Sequence, residues 1–348
     1  MIEISKGNLI KTNAEALVNT VNCVGFMGKG IALQFKKAYP DNYQAYQKAC
    51  NNGDVKPGKI FTYRSEGHLH PKYILNFPTK RHWRGNSRIT DIESGLVSLI
   101  QEVRRLNIVS IAIPPLGCGL GGLNWNEVRP LIENAFKELP GVRVFLFEPG
   151  ETPDPSSMPI GTKKPNMTKA RALYIQLISN YGKQHYRLTL LEIQKLAYFL
   201  QEAGEQLRLR YKPALYGPYA ANLMKVMERM EGHFTRGYGD TQDPEVEIKL
   251  LPDANRKAET FLKNHEESRQ YLERVLLLIE GFETPYGMEL LSSVHWVATH
   301  TETPAMNVED AIAKVRGWNS RKRVLMRPEH IRVAWNRLVE DGWIQAEA

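Results

Sequence analysis

The residues best able to do chemistry are two sets of glycines and one lysine. The stretch Ser110–Trp125 starts in an apolar, β-branched run (Ile108, Val109, Ile111, Ile113), the pattern of a buried strand. It then places four glycines in six residues, Gly117, Gly119, Gly121 and Gly122. After them Asn124 or Asn126 can cap a helix whose apolar positions Val128, Leu131, Ile132, Ala135 and Phe136 repeat every 3.6 residues. A helix N-terminus behind a glycine loop aims backbone N–H groups and a favourable dipole at one point, with no Cβ in the way. That is how a chain holds a diphosphate. The arrangement occurs twice: the strand Ala16–Asn22 runs into Gly25-Phe-Met-Gly-Lys-Gly-Ile-Ala32, and a helix with Ile31, Leu33 and Phe35 to Ala38 follows. Two such loops at the C-terminal edge of one sheet would clasp a diphosphate from both sides.

Lys80 lies in Pro78-Thr-Lys-Arg-His-Trp-Arg84. A lysine amine is a nucleophile only when deprotonated, so such a role here would need its pKa to fall from about 10.4 through burial or neighbouring cations such as Arg81 and Arg84. Trp83 and His82 between those arginines form a patch that can stack on an unpaired base and neutralise phosphates. Cys118 has no identifiable activating base, so it reads as a small residue filling a tight turn. Gly117, Gly119 and Gly122 do match the dinucleotide fingerprint G-x-G-x-x-G. Their place deep in the domain, instead of in the first strand–helix turn, argues against a nicotinamide dehydrogenase.

The elements that must position these residues alternate. Met1–Ile4 reads as an edge strand, Asp41–Asn51 as a helix, Lys59–Tyr63 and Tyr73–Phe77 as strands, Thr90–Leu106 as a helix and Val142–Phe147 as the closing strand. The expected fold is α/β, a mixed and mostly parallel sheet with flanking helices. Glu148–Pro165 is proline-rich and aperiodic, a linker at about 151–166 between a domain 1–150 and a mainly α-helical domain 167–348. In that second domain Thr189-x-x-Glu192 is a capping box ahead of Ile193, Leu196, Ala197 and Leu200. Gly217-Pro218 is expected to open a helix carrying Leu223, Val226, Met227 and Met230. Further helices are expected at Ala258–Glu280, Tyr286–Thr299, Val308–Trp318 and Glu329–Asp341.

Composition sets limits on the function. The 348 residues are 42% hydrophobic and 24% charged, ordinary for a globular protein of two domains. The net charge of +8 is uneven: residues 1–150 carry 19 basic and 12 acidic side chains, and the remainder is nearly balanced. A polyanionic partner therefore meets the first domain. The second, with acidic runs such as Asp240–Glu247, suits a partner that itself binds nucleic acid. No run is long enough for a membrane span, and MIEISKGNLIKT does not read as a signal peptide. Cys23, Cys50 and Cys118 have neither zinc spacing nor an even count, which suits a reducing cytoplasm. No metal site is expected; His68-Leu-His70 reads as a surface loop.

Lys6-Gly-Asn-Leu9, Asn19-Thr-Val-Asn22, Gly28-Lys-Gly-Ile-Ala32 and Leu116-Gly-Cys-Gly-Leu-Gly-Gly-Leu-Asn-Trp125 resemble the macrodomain, an ADP-ribose-binding fold, in order and separation. Pro78-Thr-Lys-Arg-His-Trp83 narrows the resemblance to the branch of terminal ADP-ribose glycohydrolase and of the DarG-type antitoxins of DarT–DarG pairs. The resemblance implies a catalytic lysine at Lys80. It implies ligand contacts at Asn8 and Leu9, at Thr20, Val21 and Asn22, at Gly28, Lys29, Gly30, Ile31, Ala32 and Leu33, at Thr79, and at Gly117, Cys118, Gly119, Leu120, Gly121 and Gly122. Two positions depart from the pattern: Asn8 stands where most macrodomains have an aspartate against adenine, and Gly121 where terminal ADP-ribose glycohydrolase has an acidic residue. Arg81, His82, Trp83 and Arg84 are the expected DNA contacts. Lys195-Leu-Ala-Tyr-Phe-Leu200 followed by Tyr216-Gly-Pro-Tyr219 resembles an antitoxin module.

The implied function is removal of ADP-ribose from DNA bases, thymidine in single-stranded DNA, without a cofactor. A cognate DarT-like DNA ADP-ribosyltransferase toxin is the implied partner of the second domain. Two alternatives stay open: hydrolysis of ADP-ribose from protein carboxylates, and a reader of ADP-ribose with no catalysis.

Overall fold

The computed structural model describes residues 1–65, 71–150, 158–182, 188–238 and 247–345. His68-Leu-His70 and all but the last residue of Asp240–Glu247 lie outside them. Contacts divide the described residues into two units, Met1–Lys164 and the chain from Pro165 onward.

The first unit runs β1 (Ile2–Ser5), β2 (Ala16–Asn22), α1 (Gly30–Ala38), α2 (Pro40–Asn51), β3 (Phe61–Arg64), β4 (Tyr73–Lys80), α3 (Ile89–Arg105), β5 (Ser110–Ile113), α4 (Trp125–Phe136) and β6 (Arg143–Phe147). The strands form one sheet in the order β1-β6-β5-β2-β4-β3. Every pairing is parallel except β3 with β4, so the sheet is mixed and mostly parallel, as expected. Both faces are covered, which is why β5 reads as an apolar run and β2 as a buried strand carrying polar ends. Ala16, Val18, Phe77 and Ile111 pack with Leu96 and Leu99 of α3 and Val128 and Ile132 of α4. Leu17, Ile74 and Ala112 pack on the other face with Phe35 of α1.

Parallel strands put the loops after β1, β2, β5 and β6 at one edge, where open α/β sheets bind ligands. β4 also ends there, and it runs further than its periodicity predicts. Its last residues are Pro78, Thr79 and Lys80, where the sequence suggests a loop. Val21 pairs with Pro78 and Asn22 with Lys80, so Thr79 is one extra residue, a β-bulge. Proline lacks the N–H a regular ladder needs and is tolerated at bulges, which also re-aim the next side chain. The bulge is what turns Lys80 towards the second glycine loop.

The second unit runs α5 (Lys169–Gly182), α6 (Leu190–Glu202), β7 (Tyr211–Ala214), β8 (Gly217–Ala220), α7 (Leu223–Met230), β9 (Thr235–Arg236), β10 (Lys249–Leu250), α8 (Ala254–Leu262), α9 (Glu266–Ile279), α10 (Pro285–Thr299), α11 (Val308–Gly317), α12 (Ser320–Leu325) and α13 (Pro328–Glu340). It is mainly helical. The capping box forms: the Thr189 hydroxyl accepts from the Leu191 N–H at 3.3 Å, and Glu192 accepts from the Thr189 N–H at 2.9 Å.

Two helix expectations are corrected. Gly217-Pro218 does not open a helix; it forms the second strand of the hairpin β7–β8. The reason is non-local, because Gln194 of α6 bonds both the N–H and the carbonyl of Ala220 (3.0 and 3.1 Å) and Lys195 donates to the Pro218 carbonyl at 2.7 Å. Gly217 has φ +90°, and a Cβ there would meet Ser293 Oγ at 2.9 Å. The expected helix Ala258–Glu280 is two, α8 and α9, broken where Lys263 caps α8 and His265 precedes α9.

Lys195 is buried beside a second buried lysine, Lys322, which donates to Glu289 at 2.6 Å. Burial and the Lys322 charge lower the Lys195 pKa to about 7. Its folded pKa thus lies below the unfolded one, so between about pH 7 and 10.5 the unfolded chain binds more protons and stability rises with pH. The melting temperature of this unit is expected to rise by on the order of 5 °C from pH 7 to pH 9 in calorimetry. Lys195→Met should flatten that slope; an unchanged slope would refute the assignment.

Candidate active site

A cleft of about 440 Å³ opens at the C-terminal edge of the sheet, in the size range of small-molecule sites. Its walls come from three strand ends with their loops and one helix: Ser5, Lys6, Gly7 and Leu9 at the end of β1; Ile31 and Gln34 of α1; Pro114, Pro115 and Gly119 after β5; and Phe147 to Gly150 at the end of β6. Among the expected ligand residues, Leu9, Ile31 and Gly119 line it directly. The two glycine loops meet, since a Cβ on Gly30 would lie 3.5 Å from Leu120 Cδ1. The Phe147–Gly150 wall was legible as a strand end but not as a site; only the strand order, with β6 beside β1, shows it faces the cleft.

The second loop is a tight turn sequence. Gly122 donates to the Gly119 carbonyl at 3.1 Å, and Leu123 to the Gly117 carbonyl at 3.0 Å. Gly117 and Gly122 take φ of +71° and +76°, which glycine adopts without strain. Gly121 has no such φ but has no room: a Cβ would run into Ser87 Oγ and the Gly117 carbonyl. The loop therefore excludes an acidic side chain at this position on steric grounds. Ser87, whose N–H donates to the Gly121 carbonyl at 3.0 Å, supports the loop from below and carries no sequence signal. Asn124, not Asn126, caps α4, its Oδ1 accepting from the Asn126 N–H at 3.0 Å.

The first loop is shaped by Asn22. Its Nδ2 donates to the Phe26 carbonyl at 2.5 Å, and its Oδ1 accepts from the N–H groups of Val24 and Phe26 at 3.0 and 3.3 Å. The Tyr46 hydroxyl donates to the Asn22 carbonyl at 2.6 Å. Asn22 thus spends its side chain folding the loop. Val21 and Leu33 point into the core (3% and 2% exposed), so any ligand contact they make is through backbone. Thr20 is half-buried at the end of β2, Thr79 is buried at the bulge, and Gly28, Lys29 and Ala32 surround the start of α1. Asn8 caps a short 3-10 helix, its Oδ1 accepting from the Ile10 N–H at 3.0 Å.

Lys80 Nζ donates to the Leu120 carbonyl, which ties the lysine to the second glycine loop. It does not line the cleft itself. Its pKa is lowered, and the cause is burial. The neighbouring arginines, expected to help, face elsewhere. Arg81 pairs with Asp91 at 3.1 Å, and the Arg84 guanidinium lies over the Trp83 ring at 4.5 Å. Cys118 is held inert, since burial pushes its thiol up to about 11.

Beside Lys80 stands an exposed aromatic group. The Trp83 ring (45% exposed) stacks on His82 at 5.4 Å and meets Phe26 (46% exposed) at 5.7 Å. Phe26, from the first loop, was not expected; glycine at 28 is what lets its ring fold over, as a Cβ there would strike it.

The chain matches the Macro domain family over residues 18–132. A DNA ADP-ribosyl glycohydrolase of Thermus aquaticus is 44% identical over 347 residues, spanning all of this chain and 95% of the relative. The chain belongs to that family. A second member, from Mycobacterium tuberculosis, is 40% identical over 361 residues, covering 97% of this chain and 99% of the relative. Both likenesses run through the helical unit as well as the sheet. A Thermosipho africanus protein described as a fusion of a DNA ADP-ribosyl transferase with a DNA ADP-ribosyl glycohydrolase is 38% identical over 146 residues, or 38% of each chain.

In this glycohydrolase no helix among the described residues is long and apolar enough to cross a membrane. One group among the described residues, Glu202, His295 and His300, brings possible metal ligands within 4.8 Å of one another. Two of its ring nitrogens make hydrogen bonds, His295 Nδ1 with the Tyr198 hydroxyl at 2.7 Å and His300 Nδ1 with Thr299 Oγ1 at 2.7 Å, and His300 Nε2 faces Glu202 Oε1 at 3.4 Å.

Proposed function

We propose that the first unit removes ADP-ribose from the bases of single-stranded DNA, thymidine foremost, with Lys80 as the nucleophile. The observation that carries this reading is the half-buried Lys80 amine, its pKa lowered by burial, anchored on the phosphate loop beside an exposed aromatic platform. Once the distal ribose opens at its ring oxygen, the neutral amine adds to C1″. The C1″–N bond breaks, the base leaves with a proton, and water hydrolyses the imine to return Lys80 and release ADP-ribose. The glycine loops hold the diphosphate, and Phe26 and Trp83 receive bases flanking the modified one.

The test compares ADP-ribose release from an ADP-ribosylated single-stranded oligonucleotide and from ADP-ribosylated protein carboxylates. Faster release from DNA supports the reading, and preference for protein overturns it. Trp83→Ala is expected to raise KM for the oligonucleotide by about tenfold, the effect of one lost base stack, with ADP-ribose affinity unchanged.

The second unit, in this reading, binds and neutralises a DarT-like DNA ADP-ribosyltransferase in the cytoplasm. The Thermosipho fusion, which joins the two activities in one polypeptide, supports the pairing. Full-length Lys80→Ala should then still co-purify with the toxin and protect cells against it in part. No association would refute this half of the proposal.

A further inference from the structure

The second unit gathers a separate set of donors where two of its helices end. α6 ends at Glu202 and α10 at Thr299, with His300 capping α10 through its N–H on the Trp296 carbonyl at 2.8 Å. Glu202, His295 and His300 each offer a ligand atom there, and the three atoms lie within 4.8 Å of one another. His295-x-x-x-x-His300 falls within the spacing of zinc-ligating histidine pairs. The third donor comes from another helix, which no local pattern shows.

Each donor is held by its surroundings in a way that suits a cation. His295 is 2% exposed, and its Nδ1 faces the Tyr198 hydroxyl at 2.7 Å and Thr299 Oγ1 at 3.4 Å. The ring makes a further hydrogen bond to the Trp343 backbone. A bond to a main-chain group fixes ring orientation and tautomer in histidines that bind metals. The His300 ring stacks on Trp296, centroids 4.5 Å apart and 13° from parallel. Its Nε2 stands 3.4 Å from Glu202 Oε1. Zinc bonds of about 2.0–2.1 Å at tetrahedral angles place neighbouring donors about 3.3–3.4 Å apart, so this pair already stands at the edge length of a zinc site. The side chains of His300 and Glu202 are 33% and 20% exposed. They have room to close on the fixed His295, and an ion can enter between them. Both helices present their C-terminal ends here, whose partial negative charge favours a cation.

We propose that Glu202, His295 and His300 form a zinc site of the second unit. Two imidazoles and one carboxylate are a donor set that zinc takes in proteins, with the fourth position left for water. The Tyr198 hydroxyl, beside His295 Nδ1, is placed to bond that water. The ion clamps the end of α6 to the end of α10, so metal binding and the stability of this unit are linked. The site shares no residue with the cleft, and it stands whether or not the cleft acts on DNA.

The test uses the full-length chain, stripped with a chelator and titrated with zinc chloride. Calorimetry is expected to show one ion per chain. The melting temperature of the second unit should rise by roughly 5–10 °C with zinc at 100 times its dissociation constant. Cobalt(II) in place of zinc should give the intense visible absorption of a four-coordinate ion. His300→Ala and Glu202→Gln, at partly exposed positions where the fold tolerates change, should each weaken zinc binding by at least about 100-fold, since even an outer-shell partner is worth about 10- to 100-fold. His330→Ala, at an exposed histidine outside the cluster, should bind zinc as the wild type does. No zinc binding by the wild type, or binding that survives either cluster substitution unchanged, overturns the proposal. Affinity that falls with His330→Ala as much as with His300→Ala marks binding at surface histidines and overturns it as well.

Discussion

Replacing Lys80 by alanine is expected to slow release of ADP-ribose from ADP-ribosylated single-stranded DNA by at least about 10³-fold, the scale of losing a nucleophile. ADP-ribose affinity should change by no more than about threefold, because the bond lost on the protein side is the one to the Leu120 carbonyl, a modest net contribution. Lys80→Arg separates nucleophile from electrostatic helper: a guanidinium keeps the charge and the donor but never offers a free lone pair. It should be as inactive as alanine, and activity within tenfold of wild type would sink the covalent mechanism. Reduction with borohydride during turnover should leave ADP-ribose attached at Lys80 in the wild type and not in either variant. The pH dependence has a definite sign. Only the neutral amine reacts, so the rate rises with pH and levels off at the folded pKa of Lys80, which burial places below the ordinary lysine value.

Gly121→Asp should be the most damaging change in the second glycine loop. Any side chain at 121 meets Ser87 and the Gly117 carbonyl, so the turn must move to admit it. Overpacking of this kind costs about 1–3 kcal/mol of stability, and displacing the loop by about an ångström costs on the order of 100-fold in a positioned interaction. Added to these is the repulsion between a carboxylate and a diphosphate. We expect a loss of about 100-fold or more in ADP-ribose affinity, with a lower melting temperature for the first unit. Gly119→Ala is the matched comparison. A Cβ at 119 meets nothing within 4 Å, so stability should hold within about 0.5 kcal/mol while binding falls, because Gly119 lines the cleft. Equal stability for both variants would refute the steric argument. The same geometry explains why an acidic partner for Lys80 cannot come from position 121.

The sequence by itself determined what depends on short-range chemistry. Glycine at 117 and 122 marks a turn that other residues enter with strain, and periodicity marks which face of α3 or α4 is buried. The Thr189–Glu192 capping box is likewise complete within four residues. These features announce a mostly parallel sheet, two glycine loops and a lysine between them, before any contact is known.

Only the tertiary structure decided where distant segments meet. Arg81, next to Lys80 in the chain, is drawn into an ion pair with Asp91, so burial alone depresses the lysine. Phe26 and Trp83 come from separate loops and make one platform. The Thr79 bulge exists because β2 pairs alongside Pro78. Gly217-Pro218 becomes a strand because Gln194 and Lys195 offer hydrogen bonds from α6, and Gly161 of the expected linker is pinned by the Lys37 carbonyl. Each outcome depends on a hydrogen bond or ring contact between residues far apart in the chain, and a local pattern holds no information about a partner it does not contain.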